Sequence, residues 1–196
     1  MENNAHTLIL IVGRTGSGKS SLVNKVCERT GLKQLISHTT RPRRNNEDND
    51  HIFVTKEDYF EAKASGNIVA ETEIAGNYYY ATKEQLYEAD FYTIDPQGIE
   101  VLLSMNLPNI RFVTVYISCP DALRETRAVD SRGDNKVTYR TRDFAERAQF
   151  RKFVADEKWD YSIKNINFAK SYSVLRWIST IECPWTQSDM ERKDVE

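Results

Sequence analysis

Short apolar runs alternate with amphipathic stretches along most of this chain. The first run, residues 8–12, is continuously apolar and ends at a glycine, which predicts a buried central strand. After a glycine-rich segment, Leu22, Val23 and Val26 recur at helical spacing, and Gly31 suits the position just past a helix end. The amino-terminal segment therefore predicts a strand, a loop and a helix.

The same alternation returns after residue 82. Strands that alternate with helices predict a parallel sheet covered by helices on both faces. The predicted strands are residues 91–94, 111–118 and 161–163, and the predicted helices are residues 83–89, 99–105, 121–128, 140–157 and 168–178, with a polar loop over residues 130–136. The predicted fold class is α/β.

The segment between these two parts has a different pattern. It contains short strand candidates at residues 35–37 and 52–55, a helix candidate at 56–65 capped by Thr55, and a hairpin-like pair at 68–75 and 78–80. Residues 41–50 lack an apolar period and are predicted to form a loop. This block is interpreted as a small mixed insert on the main sheet.

Composition narrows the function classes. The 196 residues suit one domain with a small insert, and 27 Lys and Arg against 29 Asp and Glu give a net charge of −2, which argues against a general nucleic-acid binder. Residues 8–12 form too short an apolar run to cross a membrane, and no signal peptide is recognised, so the expected location is cytoplasmic. Three widely spaced cysteines favour neither a disulfide scaffold nor structural zinc.

The glycine-rich segment at residues 13–20 reads GRTGSGKS and matches the pattern Gly, four residues, Gly-Lys-Ser/Thr in full. Gly16 and Gly18 let the backbone approach an oxyanion, and the following helix adds its positive end. Lys19 supplies a cation for the β- and γ-phosphates of ATP, and the hydroxyl of Ser20 suits Mg²⁺. The predicted phosphate cradle comprises Gly13, Arg14, Thr15, Gly16, Ser17, Gly18, Lys19, Ser20 and Ser21.

Arginines fall in two clusters, and a transferase needs more cations than a nucleotide switch because it holds two polyanions together. The first cluster follows Ser37 and comprises Arg41, Arg43 and Arg44, which suit a terminal phosphate, although a solvated charge run is an alternative. In the second cluster, Arg132 is predicted to reach a bound nucleotide from a polar loop. That cluster comprises Arg124, Arg127, Arg132, Arg140, Arg142, Arg147 and Arg151.

With these segments in place, the sequence resembles the guanylate kinase family. The resemblance rests on SHTTRPRR (37–44), GNYY (76–79), IDPQG (94–98) and WDYSIKN (159–165), in the family's order, together with the phosphate cradle. It covers roughly residues 7–180. The family implies a P-loop NTPase-type parallel sheet flanked by helices, with a small inserted monophosphate-binding domain and a helical lid.

The resemblance also implies an organisation and an activity. Residues 1–36 and 83–180 would form the core, with a lid at about 124–147, residues 37–82 the insert, and residues 181–196 a polar tail. ATP, with Mg²⁺, would pass its γ-phosphoryl to GMP or dGMP, giving ADP and GDP or dGDP. The implied catalytic residues are Lys19, Arg132 and Arg142, with Arg140 an alternative to Arg142, and the implied monophosphate contacts are Ser37, Arg41, Arg44, Tyr79 and Asp95. Further candidates for the monophosphate site are His51, which stands where the family commonly has a tyrosine, and Glu71, Glu73 and Thr82, which lie close to unmatched family positions.

Several positions depart from the family pattern. Ala70 and Ala81 stand where the family reads the base through a glutamate and a hydroxyl, and Thr93 replaces a family aspartate. Guanine presents N–H donors, so a guanine site needs hydrogen-bond acceptors. The acceptors that remain in this sequence are Asp95 and the acidic and hydroxyl side chains next to Ala70 and Ala81. Two alternatives therefore stay open: a kinase for another nucleoside monophosphate or small phosphorylated substrate, and a non-catalytic guanylate-kinase-like binding module. The sequence is compatible with a monomer or a homodimer.

Overall fold

The computed structural model describes residues 5–43, 49, 51–74, 76–131 and 133–183. Two of the predicted site residues, Arg44 and Arg132, lie outside these ranges, as do residues 184–196 of the predicted tail.

Strands and helices alternate along the described chain. The strands are β1 (His6–Val12), β2 (Gln34–Leu35), β3 (His38–Thr39), β4 (Ile52–Phe53), β5 (Ile68–Ile74), β6 (Asn77–Thr82), β7 (Phe91–Thr93), β8 (Ile110–Ser118) and β9 (Tyr161–Lys164). The helices are α1 (Lys19–Thr30), α2 (Lys56–Ala64), α3 (Lys83–Glu88), α4 (Pro96–Ser104), α5 (Asp121–Thr126), α6 (Lys136–Asp156) and α7 (Phe168–Glu182), and a π-helical turn, Arg127–Ser131, follows α5.

The main sheet is parallel throughout its described strands, in the order β2-β7-β1-β8-β9. Its centre is β1, whose residues from Leu8 to Val12 are fully buried. Helices cover both faces, because β1 contributes alternate side chains to two separate apolar clusters, one with Leu8 and one with Ile9. Every strand of a parallel sheet ends at the same edge, so the segments that follow β1, β7 and β8 meet there.

A second, mixed sheet is built from residues 38–82 in the order β4-β3-β6-β5. Strand β5 pairs antiparallel with β6 as the predicted hairpin, and α2 begins at the predicted cap Thr55, whose hydroxyl accepts from the backbone N–H of Asp58. A bulge interrupts the β5–β6 pairing: Val69 lies opposite Ala81, but Thr72 lies opposite Tyr79, so β5 has one extra residue. Ala70, within this bulge, has a φ of 51°.

The α/β prediction is confirmed, and the element boundaries differ in instructive places. Strand β2 pairs with β7 in the main sheet, as the core range 1–36 implies, although the pattern of short elements groups the strand candidate at 35–37 with the insert. Helix α4 starts at residue 96, three residues earlier than predicted, because Asp95 caps it and a proline occupies its first turn. The predicted loop at 130–136 is partly helical, since the π-helical turn extends to residue 131. None of the helices in the described ranges has the length and apolar character needed to span a membrane.

Candidate active site

The predicted phosphate cradle lies at the carboxyl end of β1 and leads into α1. Gly16 and Gly18 have φ values of 75° and 85°, in the left-handed region that favours glycine. At Gly16 a Cβ atom would overlap the backbone carbonyl of Arg124, and at Gly18 it would lie 2.6 Å from the side-chain nitrogen of Asn165. Both glycines are therefore required by backbone conformation and by close neighbours.

Lys19 and Ser20 occupy the first turn of α1. The ammonium of Lys19 donates to the carbonyl oxygen of Gly13 and, at 3.3 Å, to that of Arg14, so it lies across the loop. Ser20 and Ser21 are exposed at the start of the helix, where the helix dipole favours anions.

Two arginines from the second cluster fix the shape of the loop. The guanidinium of Arg124, which is 1% exposed, donates to the carbonyl oxygen of Thr15 at 3.0 Å. Arg127 donates to the carbonyl oxygen of Asn165 at 2.9 Å, and the carboxamide of Asn165 donates to the carbonyl oxygen of Ser17 at 2.8 Å. These arginines hold backbone carbonyls in place.

Helix α6 contributes two carboxylates to the same loop. Asp143 accepts hydrogen bonds at 2.6 Å from both Arg14 and Arg124. Glu146, three residues further along the same helix face, accepts from the backbone N–H of Thr15 at 2.7 Å. The phosphate cradle is thus docked against α6 through its third residue and through the side chain of its second.

The buried Arg124 is charged in this setting. Burial acts to lower the pKa of Arg124, but hydrogen bonds to Asp121 and Asp143 raise it above its ordinary value. The same contact holds the pKa of Asp121 below its usual range. Removing a carboxylate partner from a buried cation is strongly destabilising, because the charge is then left uncompensated.

The residues predicted to bind the monophosphate gather mainly on one face of the insert sheet. The hydroxyl of Ser37 lies 3.0 Å from Nδ1 of His51, and the ring of His51 meets Tyr79 edge-on at a centroid distance of 5.4 Å. The guanidinium of Arg41 lies 5.2 Å from the centre of the Phe53 ring, and that ring meets His51 edge-on at a centroid distance of 6.3 Å. Hydroxyl, imidazole, phenol and guanidinium groups in one cluster suit a phosphate dianion.

Asp95 connects this face to the main sheet. It follows β7 by two residues, and its Oδ1 accepts from the backbone N–H of Gly98 at 2.9 Å. Its other oxygen, Oδ2, lies 3.5 Å from the hydroxyl of Thr72. Thr72 lies opposite Tyr79 in the sheet, so both side chains project from the same face. Asp95 consequently faces the cluster built around Tyr79.

The structure separates Glu71 and Glu73 from that face, which corrects their predicted placement. The carboxylate of Glu71 accepts from Tyr59 at 2.6 Å and from Lys63 at 2.8 Å, both on α2. Glu73 lies opposite Tyr78, which stacks on Tyr59, and is exposed. The bulge is the physical reason, because one extra residue in β5 puts Thr72 on the Tyr79 face and its two acidic neighbours on the other.

The other residues at or near the family's base-reading positions have structural roles. Thr82 caps α3, where its hydroxyl accepts from the backbone N–H of Gln85 at 3.4 Å. Ala70 and Ala81 are 4% and 0% exposed and belong to the apolar cluster that contains Leu8.

The predicted lid arginines are only partly visible. Arg142 lies on α6, 3.9 Å from a carboxylate oxygen of Asp134, and Arg140 on the same helix lies 3.3 Å from Glu125. Both guanidinium groups therefore lie near carboxylates of their own region, and the predicted Arg132 falls outside the ranges described.

Sequence reasoning missed four side chains that build the site. Thr72, Asp143 and Glu146 carried no motif, and Arg124 was grouped with arginines that could reach a nucleotide although it is buried against the loop. A signal was available for α6 alone: Asp143 and Glu146 share a helix face with Tyr139 and Phe150, which is a buried face.

Comparison with known proteins supports the same interpretation. The sequence model for the family described as guanylate kinase matches residues 5–180. The chain is 29% identical over 175 residues to a guanylate kinase of Vibrio parahaemolyticus serotype O3:K6, covering 83% of this chain and 81% of that protein. It is 27% identical over 184 residues to a guanylate kinase of Chlamydia felis, covering 89% and 88%. A crystal structure of guanylate kinase from Anaplasma phagocytophilum shares the fold, with a TM-score of 0.62 and 19% identity over 93% of this chain and 89% of that one.

A parallel sheet with a complete phosphate-binding loop after its central strand defines a P-loop protein of the α/β class. Within that class, the match over residues 5–180 places the chain in the guanylate kinase family of P-loop nucleoside monophosphate kinases.

Proposed function

We propose that this protein transfers the γ-phosphoryl group of ATP to GMP or dGMP, giving ADP and GDP or dGDP. The observation that carries the proposal is the placement of two anion sites at one edge of the main sheet. The phosphate cradle follows β1, and Asp95, which faces the Ser37–His51–Tyr79 cluster, follows the neighbouring strand β7. Direct phosphoryl transfer needs two phosphorylated ligands held in line and their charge neutralised.

Each residue group has a proposed role. Lys19 and the N–H groups of the loop would neutralise the transferred phosphoryl, with Arg132 and Arg142 as the proposed lid cations. Ser37, Arg41, Arg44, His51 and Tyr79 would hold the acceptor phosphate. Residues 37–82 would thus be the monophosphate-binding insert, and residues near 124–147 the lid.

The described residues fit a magnesium ion supplied with the nucleotide. The hydroxyl of Thr93 is buried at the end of β7, beside β1, and has no hydrogen-bond partner among the described residues. It and Ser20 are hard oxygen ligands, the type that Mg²⁺ prefers. No three His, Cys, Asp or Glu side chains in the described ranges converge on a metal position, so the proposed ion would also use nucleotide oxygens. Bound there, Mg²⁺ would offset negative charge on the phosphates.

Base selectivity is proposed to rest mainly on Asp95. Its carboxylate has lone pairs beyond those used by Gly98 and Thr72, and guanine presents a ring N–H and an exocyclic NH₂ group as donors. With Glu71 and Glu73 on the opposite face of the sheet, a second charged acceptor is missing from the Tyr79 face as described. One charge-assisted hydrogen bond corresponds to about 1.5–3 kcal/mol of discrimination. This favours, as a second candidate, a monophosphate kinase of relaxed base choice.

The test is ADP formation from Mg-ATP with each nucleoside monophosphate, in ribo and deoxy forms, against a reaction without acceptor. Stimulation by GMP or dGMP supports the proposal, and comparable stimulation by other bases supports the second candidate. Lys19→Ala should abolish turnover while leaving the far-UV circular dichroism unchanged. Asp95→Asn should raise KM for GMP more than KM for ATP. No stimulation by any monophosphate, with ATP still bound, would favour a binding module instead.

A further inference from the structure

Glu146 of α6 occupies a hydrogen-bond donor of the phosphate cradle. Its Oε2 lies 2.7 Å from the backbone nitrogen of Thr15, the third residue of the loop. A backbone amide has one hydrogen, so a phosphate oxygen and this carboxylate exclude each other at that donor. The side chain from α6 is therefore a competitor for one of the groups that the loop offers to an anion.

A second carboxylate on the same helix face occupies another group of the loop that could bind an anion. Asp143 accepts from the guanidinium of Arg14 at 2.6 Å, and its backbone carbonyl oxygen lies 3.1 Å from that guanidinium. Arg14 is the one cationic side chain in the loop besides Lys19. Helix α6 thus places one carboxylate on a loop amide and another on a loop cation, two groups of the kind that bind anions.

The two carboxylates differ in how firmly they are held. Asp143 has two arginine partners at 2.6 Å, one of them the fully buried Arg124, so it keeps α6 docked. Glu146, by contrast, is held among the described residues by one hydrogen bond, from the Thr15 amide. Rotation of the Glu146 side chain can release that amide while the helix remains in place.

We propose that Glu146 is an internal competitor of the nucleotide: its carboxylate binds the Thr15 amide, and the phosphates of the donor nucleotide displace it. The inference rests on the proposed function only in taking a nucleoside polyphosphate as the ligand of the loop. It applies whichever monophosphate is the acceptor. Because the nucleotide needs the Thr15 amide released, its apparent affinity is the intrinsic affinity multiplied by the fraction of molecules in which Glu146 has left that amide. The negative charge of Glu146 also repels the phosphates.

Two substitutions separate competition from structural support. Glu146→Gln retains an oxygen that can accept from the Thr15 amide but removes the charge, and Glu146→Ala removes both. Asp156→Asn is the matched control, since Asp156 lies on the same helix and pairs with Lys152 at 3.2 Å and Lys158 at 3.4 Å. The measurement is the Kd of ADP with Mg²⁺ by titration calorimetry, using the full chain.

Competition predicts that Glu146→Gln and Glu146→Ala bind ADP about three- to tenfold more tightly than the wild type, with Asp156→Asn within about twofold. If Glu146 only supported the loop, Glu146→Ala would bind more weakly and Glu146→Gln would be unchanged, which overturns the inference. Failure of the wild-type chain to bind ADP or ATP at all would overturn the proposed function as well. The two failures are thereby distinguished.

Discussion

Arg124 donates hydrogen bonds to three segments at once, although its side chain is 1% exposed. Its acceptors are the carbonyl of Thr15 in the phosphate cradle, Asp121 in α5 and Asp143 in α6. Such a residue links the loop to two helices, and its buried charge is compensated by the carboxylates of Asp121 and Asp143. At the level of single residues, Arg124 thus ties the geometry of the phosphate cradle to α5 and α6.

Replacing Arg124 with methionine should be strongly destabilising. The substitution keeps an apolar side chain of similar length but leaves Asp143 with one of its two arginine partners at 2.6 Å, and removing one member of a buried ion pair costs about 3–5 kcal/mol. Arg140→Met is the matched control, because Arg140 is exposed and pairs with Glu125 at 3.3 Å, which predicts a loss of about 0–1 kcal/mol. Urea unfolding measures both. Equal losses would show that Arg124 contributes no more than a surface pair.

A second residue-scale prediction concerns the loop backbone. Gly16 and Gly66 have similar φ values, 75° and 71°, so alanine should cost about 1–2 kcal/mol at each through backbone strain. At Gly16 the added Cβ would also overlap the carbonyl of Arg124, whereas at Gly66 nothing lies within 4 Å. Gly16→Ala should therefore destabilise the protein more than Gly66→Ala, and it alone should abolish ADP binding. Calorimetric binding and urea unfolding of both variants provide the check, and equal behaviour would contradict the role given to Gly16.

At the scale of elements, helices and hairpins followed from sequence more directly than strand faces did. Thr55 and Gly31 marked the ends of helices correctly, because caps are local chemistry. The predicted hairpin also forms, but Asn77 is the first residue of β6, paired with Ile74, rather than part of the turn. The bulge at Ala70 had no local signal, and it decides which side chains of β5 face Tyr79. The phosphate cradle was predictable because one contiguous motif specifies it, whereas its contacts with Arg124, Asp143 and Glu146 depend on tertiary packing.

The pairing of α2 with β5 should appear as a pH-dependent stability. Burial alone would raise the pKa of Glu71, but hydrogen bonds from Lys63 and Tyr59 bring it below its ordinary value of 4.5. Since the folded chain binds this proton less tightly than the unfolded chain, the stabilisation is fully present above pH 4.5 and is lost as pH falls through the lowered pKa.

Glu71→Gln should accordingly reduce the free energy of unfolding by about 1 kcal/mol at neutral pH, and the difference from wild type should shrink toward zero in acid. The comparison is Glu73→Gln on the same strand, whose exposed side chain predicts a change within about 0.5 kcal/mol at every pH. Urea unfolding between neutral and acidic pH gives both profiles. A Glu71→Gln difference that does not vary with pH would remove the ion pair with Lys63 as its cause.

At the scale of the whole molecule, the two sheets differ in how much core supports them. The main sheet is built around the fully buried residues of β1, whereas two strands of the insert sheet, β3 and β4, are two residues long. Regions with fewer buried apolar contacts open at lower free energy. The insert is therefore expected to open while the main sheet stays folded, which gives the acceptor side the greater freedom to adjust to its ligand.

Hydrogen exchange followed by mass spectrometry tests this difference together with the division of the site. Without ligand, amides of β1 should exchange most slowly and those of β3, β4 and α2 much faster. ADP should slow exchange at residues 13–20, and the preferred monophosphate should slow it at residues 37–41 and 76–82, because each ligand binds only the native form of its own segment. Protection of one common segment by both ligands would contradict two separate anion sites. Protection of residues 37–82 by the monophosphate and not by ADP would instead establish that the insert binds the phosphoryl acceptor. The exchange of α6 amides near Glu146, with and without ADP, would show whether the donor nucleotide also orders that helix.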